Sequence, residues 1–540
     1  MLRSPGGNVV ATFSVSGDQR LVYTLTRAGA PVVETSPLGM TIDGVDLGAG
    51  VELGAAARSS RDMSYPWRGG KARAIDRANE LALEIAHGAS GLRWTLEARA
   101  YDDAFAFRYV VPGEGSRRVE GEATAWTLPA GTAAWYCPNT VHYEGEYERA
   151  ALEEIPLIGP IRVAGEFQDV PRHLGFPVTL ELPDGTLAAL AEADVMGYSG
   201  MTLRPTRTTT LRAAFEDDAQ GWTMQGTILS PWRIVMTGPD LNALVNCDAI
   251  HNVCPPPDPA LFPAGFGTEW IKPGRALWQW WAYDNPGTHW STQKAFVDQA
   301  ARLGCEYYLV DEGWEHTRQE WFAPGETAWA RMNELCDYAK SKGVAIWAWR
   351  AWQHNEQRQF PGLETDAKRE DFFRRCAEVG IVGVKIDFMN SESHELLAFY
   401  EDCLRKAAQH RIMVDFHGAN KPAGETRTWP HEMTREGVKG LEHNKWSTLS
   451  PRHYAVLPFT RYLAGHGDFT PLTLQPAFLK GTTATQQMAT SVLYTSPFLC
   501  WADKPELYLD EPAVADFMRH VPTTWDETLV LPVSRLGEIA

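Results

Sequence analysis

The chain has 540 residues, 44% of them apolar, with 50 Lys and Arg against 68 Asp and Glu, a formal charge of −18. That length accommodates more than one well-filled core, and the apolar content excludes a disordered chain. The acidic balance excludes a phosphate-backbone partner, and no uncharged apolar run is long enough to span a membrane. The eight cysteines, Cys137 to Cys500, show neither CxxC nor Cys/His spacing, so buried free thiols are expected rather than a zinc site or disulfide framework.

The start, MLRSPGGNVVATF, lacks an apolar segment followed by a small-residue cleavage site. The sequence therefore reads as cytoplasmic, or as periplasmic or secreted if the native start lies upstream. Up to about residue 250 the apolar pattern has a period near two, as in RLVYTLT (20–26), LALEIAH (81–87), FAFRYVV (105–111) and TTTLRAAF (208–215). Gly, Asp and Pro turns separate these runs, which predicts an antiparallel β-sandwich over residues 1–253. CPPPDPALFPAG (254–265) holds five prolines in twelve residues and predicts a surface linker, placed at 254–271.

From residue 272 the pattern changes to alternating strands and helices. ALWQWWA (276–282) reads as a strand, and STQKAFVDQAARLG (291–304) as a helix capped by Ser291 and stopped at Gly304. CEYYLVDEG (305–313) is the next strand, and a helix with Trp329, Met332, Cys336 and Ala339 on one side follows, ending at Gly343. VAIWAWRA (344–351), VGVKIDFM (382–389) and RIMVDFHG (411–418) continue the series. Repeated βα units over roughly 250 residues predict a closed (β/α)8 barrel of the TIM type, here 272–528.

Chemistry in such barrels sits at the carboxyl ends of the strands. Asp311, Asp387, and Asp415 with His417 fall at or just past such ends. From position alone, Asp387 has two equal readings: it caps the next helix or pairs with Lys385 or a neighbouring Arg, or it does chemistry. Two carboxylates facing each other across a cavity are the minimum for glycoside hydrolysis, one ionised and one protonated. A second carboxylate is expected in HEMTREGVKGLEHNKW (431–446), where Glu432, Glu436 and Glu442 crowd together. A solvated acidic face is the alternative, but Gly437 and Gly440 point to a tight, non-helical path. Such glutamates also suit a hard cation, although no EF-hand loop is present. Trp278, Trp280, Trp281, Trp347, Trp349 and Trp352 cluster in the barrel half. Core packing is the commoner use of Trp, and stacking on sugars the other.

Taken together, SPLGM (36–40), HYEGEY (142–147), KPGRALWQWW (272–281), YYLVDEGW (307–314), GVKIDFM (383–389), FHGANKPAGETRTWP (416–430), TREGVKGLEHN (434–444), LPFTRYLAGHGDFTP (457–471) and VPTTWDETLVL (521–531) form an ordered set. With them the chain resembles glycoside hydrolase family 97, the calcium-dependent α-glycosidases, over nearly its whole length. The resemblance implies an N-terminal β-super-sandwich, a catalytic (β/α)8 barrel and a C-terminal β domain. Residues 529–540 would be the truncated start of that last domain. It also implies an α-linked oligosaccharide or glycoside as substrate and Ca²⁺ as cofactor.

The family's inverting members carry a glutamate directly after the strand-five histidine, where this chain has Gly418 after His417. Its retaining members, typified by α-galactosidases, carry an aspartate nucleophile at the position of Asp387. The resemblance thus implies Asp387 as nucleophile, Glu442 as acid/base, and Glu144, Glu436 and Glu442 as calcium ligands. Asp311, Lys385, His417 and Lys421 would hydrogen-bond the sugar, with Trp278 and Trp314 as apolar walls. HGDFTP (466–471) stands where the family commonly has a Pro-Met-Asp-Tyr run, so His466 and Gly467 are expected to alter a pocket-side loop, and Asn390 stands where the family often has an acid. A retaining α-galactosidase is the leading expectation. An α-glucosidase or other α-glycosidase, and then a carbohydrate-binding protein without catalysis, are the alternatives. A metal-dependent hydrolase of another kind is disfavoured because clustered His ligands are absent.

Overall fold

A computed structural model describes residues 1–162, 170–283, 288–315, 320–322, 327–357 and 360–540. The N-terminal half is built on a ten-stranded antiparallel sheet whose longest hairpin pairs Val51–Pro66 with Arg73–His87. Smaller sheets pack against it, among them the four-stranded sheet that begins at Leu2–Arg3 and ends at Ala30–Pro37. The two-residue period explains the layering. In Ala104–Val111, the rings of Phe105, Phe107 and Tyr109 face the sandwich core with Phe13 and Tyr23. Ala104 and Ala106 face the other way, onto a second cluster with Cys254, Leu463 and Ala464 from beyond the sandwich. Small residues on that face let the sheet lie close to the catalytic half. Arg233 is fully buried between Glu122 and Glu192, so its charge is paired on both sides.

Residues 254–264 contribute no strand, and a single 3₁₀ turn, Gly265–Gly267, follows them. The second half is a parallel barrel of Gly274–Trp278, Tyr307–Val310, Ala345–Ala351, Ile381–Asp387, Met413–Phe416, Glu432–Arg435 and Phe498–Trp501. The first strand pairs with both the second and the last. Helices Trp290–Leu303, Ala328–Ser341, Asp366–Val379 and His394–Gln409 lie outside, their apolar faces on the strands.

Eight strands were the expectation; among the described residues seven form ladders. Residues 466–470 occupy the seventh place: Asp468 N donates to Arg435 O on one side and Gly467 N to Thr495 O on the other. Positive φ at Gly465, Thr470 and Leu472 bends the backbone before a ladder can extend. Two local expectations also shift. The first barrel strand stops at Trp278, and Trp280–Tyr283 is already helical. The next helix starts at Trp290, with His289 rather than Ser291 at its N-cap.

All eight cysteines are buried and unpaired, as expected. Among the described residues no helix is long and apolar enough to cross a membrane. Residues 529–540 form one isolated bridge, between Arg535 and Ile539, and Val530 N donates to Asn242 Oδ1 at 3.0 Å.

The sandwich docks on the loop after the fourth barrel strand. Asp217 Oδ2 accepts from Glu392 N at 2.6 Å and Ser391 Oγ at 2.9 Å, and Gly200 N donates to Glu392 O at 2.8 Å. Lys421, 1% exposed, is 2.6 Å from Glu192 of the sandwich and also pairs with Glu392.

Candidate active site

At the carboxyl ends of the barrel strands lies a cavity of about 330 Å³. It collects Trp278 and Asp311 from the first two strands, Trp349 from the third, Lys385 and Asp387 from the fourth, and His417 with Gly418 after the fifth. Glu436 and Glu442 enter after the sixth strand, and Glu144 with His142 comes from the sandwich.

Asp387 forms neither the helix cap nor a direct hydrogen-bonded pair with Lys385. The helix that follows is capped by Ser393, whose side chain accepts from Leu396 N. Lys385 pairs instead with Asp311, Nζ to Oδ2 3.1 Å. Asp387 Oδ2 accepts the Trp349 indole N–H at 2.9 Å, and His417 Nδ1 lies 4.0 Å from the same oxygen. Strand periodicity puts Trp347, Trp349 and Ala351 on one face of Ala345–Ala351, so Trp349 stands above Trp347 and reaches the rim. Alternation in VAIWAWRA signals that face, but not that the indole would meet Asp387.

Asp311 is held from two sides, by the Trp278 indole N–H at 2.7 Å and by Lys385, whose Nζ also lies 4.4 Å from the Trp278 ring centre. Glu436 Oε2 accepts from Gly418 N at 2.6 Å and lies 2.9 Å from His417 Nδ1. Gly437, at φ 46°, takes the left-handed turn that swings the chain away, and Leu441–Lys445 is a 3₁₀ turn presenting Glu442. The tight path expected from the glycines is therefore present.

Burial pushes the Asp387 carboxyl up, against the opposing pull of His417 and Lys385. The Glu442 carboxyl is held well above the usual range, by burial and then by the neighbouring Glu436 charge. Glu436 and Glu144 are likewise raised well above the usual range by burial and then by a neighbouring glutamate, Glu144 for Glu436 and Glu442 for Glu144. His417 is pushed down to about 4, chiefly by burial.

One ligand atom each from His417, Glu436 and Glu442 lies within 4.8 Å of the others. Buried carboxylates that destabilise one another are what a hard cation would relieve, so the donor chemistry fits a divalent ion that prefers oxygen. His417 Nδ1 faces Glu436, leaving the oxygens as the natural donors. Glu144 lines the same cavity, but His443 Nε2 lies 2.7 Å from its Oε2.

Several expected positions fall elsewhere. Trp314 is 1% exposed, donates its indole N–H to Trp349 O and packs edge-on against Trp321 and Trp329; it is core, not a pocket wall. Lys421 does not line the cavity, because two carboxylates hold its ammonium at the domain contact. Asp415 lies inside its strand and is fully buried, and burial with the Asp468 charge holds its carboxyl well above the usual range. His466 Nε2 contacts Arg68 O at 2.9 Å on the sandwich side, so it alters the domain contact rather than the cavity. Asn390 does line it, as do Trp280, Phe388 and Trp446, which sequence reasoning did not single out as site residues.

The model of the glycosyl-hydrolase 97 N-terminal domain matches residues 2–256, and that of glycoside hydrolase 97 matches residues 270–438. The chain belongs to glycoside hydrolase family 97. A "probable retaining alpha-galactosidase" of Streptomyces bingchenggensis is 34% identical over 527 residues, covering 96% of this chain and 77% of that protein. A retaining alpha-galactosidase of Bacteroides thetaiotaomicron is 29% identical over 584 residues, covering 99% and 84%. Among solved structures, a beta-arabinopyranosidase superposes with a TM-score of 0.85 at 24% identity, covering 97% of this chain and 86% of that one. A family 97 enzyme from Pseudoalteromonas in complex with panose does so with 0.85 at 23%, covering 99% and 85%. These structures share the fold. The protein is a glycoside hydrolase.

Proposed function

We propose that this family 97 enzyme is a retaining α-galactosidase in which Asp387 is the nucleophile and Glu442 the acid/base. The observation that carries this reading is the pairing of Asp387 at the fourth strand end with a bare Gly418 after the fifth. The first offers a carboxylate for direct attack; the second leaves no side chain to activate water. In the first step an Asp387 oxygen attacks the anomeric carbon from the face opposite the leaving group. The C1–O bond breaks and Glu442 gives its proton to the departing oxygen. In the second, the Glu442 carboxylate takes a proton from water, whose oxygen attacks C1 and releases Asp387 with the configuration restored. The Trp349 N–H steadies the ionised Asp387, while Lys385, Asp311 and His417 are positioned to meet sugar hydroxyls.

Calcium would be held in this reading by Glu436 and Glu442, with Glu144 of the sandwich lining the same cavity. When bound, it supplies positive charge that orients hydroxyls and tempers the acidity of Glu442. The galactose assignment draws on the names of the two curated relatives. Nitrophenyl α-galactoside and α-glucoside should be offered in parallel, with the anomer of the first product followed by NMR. Turnover of the galactoside with the α-anomer formed first is expected; β-anomer first, or glucoside only, overturns the assignment. Asp387→Asn should lose turnover and regain it with azide, giving a β-glycosyl azide.

A further inference from the structure

A second, open groove of about 840 Å³ adjoins the catalytic cavity, and Glu144 and Trp446 line both. We propose that this groove receives the leaving group of the substrate, with Trp446 as its stacking platform, so that an oligosaccharide rather than a short glycoside is the preferred substrate. The inference rests on the retaining α-glycosidase reading and adds to it the side on which the aglycone lies.

Chain continuity sets the direction. Glu442 faces the cavity, and the next residue of the same 3₁₀ turn, His443, faces the groove. The proton donor must touch the glycosidic oxygen, so whatever follows that oxygen passes Glu442 on the groove side. The cavity itself, at about 330 Å³, is near the lower bound of ligand sites and suits a single ring.

Trp446 differs from the other cavity tryptophans. It is 56% exposed, whereas Trp278 and Trp349 are 1% and 3% exposed. Its indole N–H is already used, donating to His443 Nδ1 at 3.2 Å, and His443 is in turn held on Glu144. The ring is therefore fixed at the shared lip with its polar edge satisfied. What remains is an apolar face in water, the complement of the C–H face of a pyranose. Below it Lys439, Glu146 and Ser450 line the groove and bond one another, Lys439 to Glu146 at 3.3 Å and Ser450 to Glu146 at 2.7 Å. They offer donors and acceptors for hydroxyls.

The test is Trp446→Ala, measured with raffinose and with α-galactosyl fluoride, whose leaving group is too small to reach the groove. The loss in kcat/KM is expected to be about tenfold or more larger for raffinose than for the fluoride, the difference lying mostly in KM. Trp446→Phe, which keeps an aromatic face, should recover most of the loss. Equal losses on both substrates, or none on raffinose, overturn the proposal. If the unaltered enzyme cleaves no α-galactoside, it is the sugar assignment that fails. The same variants with maltotriose and α-glucosyl fluoride then read the groove, with the same two outcomes.

Discussion

A Cβ placed on Gly418 would lie 3.1 Å from Oδ1 of Asp387 and 3.0 Å from the backbone N of Phe388. The position has φ +50°, in the left-handed region, so a side chain there is strained before it meets anything. The end of the fifth strand is bare because the fourth-strand carboxylate occupies the space beside it. An acid at 387 and an acid at 418 thus compete for one volume.

Gly418→Ala should therefore injure catalysis more than folding. The left-handed backbone costs about 1–2 kcal/mol, seen as a lower urea midpoint. A displaced Asp387 should lower kcat by about tenfold or more, since small misplacements of a reacting group are expensive. Retained kcat with a lower midpoint would mean that Asp387 does not need this position.

Trp349→Phe removes the indole N–H that donates to Asp387 Oδ2. That bond favours the ionised carboxylate, so its loss raises the Asp387 pKa further. The acidic limb of the kcat/KM profile should move to higher pH, while the limb set by Glu442 stays. An unmoved acidic limb would show that the limb belongs to another group.

Calcium should stabilise the protein as well as serve turnover. Glu144, Glu436 and Glu442 have folded-state pKa values above their unfolded ones. Their contribution is full below the unfolded value and is lost as pH rises through the folded ones. Bound calcium replaces those protons, so the gain in Tm on adding it should grow with pH. At a hundredfold excess over Kd the gain is about 2.7 kcal/mol. Glu436→Gln should reduce it, measured as Tm with calcium against chelator. A gain independent of pH would remove these glutamates from the ligand set.

Lys421→Met tests the domain contact. It leaves Glu392 buried without its cation and Glu192 with Arg233 alone, a loss of about 3–5 kcal/mol in urea unfolding. Adding Glu392→Gln to the same chain should recover part of it. Non-additive recovery of this kind distinguishes pairing from simple packing.

Much of the site was legible in the chain. The strand preceding Asp387 is apolar and bounded, the βα alternation places its end at the rim, and glycines at 437 and 440 mark a tight turn ahead of Glu442. The family resemblance implies pocket positions for Lys421 and Trp314. Proximity in sequence says nothing about which way a side chain leaves the rim: Lys421 turned to Glu192, 229 residues earlier, and Trp314 to the core.

What the sequence by itself determined is the kind of group at each strand end, since period-two and helical patterns decide which residues point inward and where strands stop. Only the tertiary structure decided the partners. The Asp387–Trp349 bond, the crowding of Gly418 on Asp387, the Trp446–His443–Glu144 chain and the seven-ladder closure all join segments with no local signal for one another. The physical reason is that burial and charge act through space. A carboxylate becomes an acid, an anion or an ion-pair partner according to the charges and the water around it, and folding alone sets both.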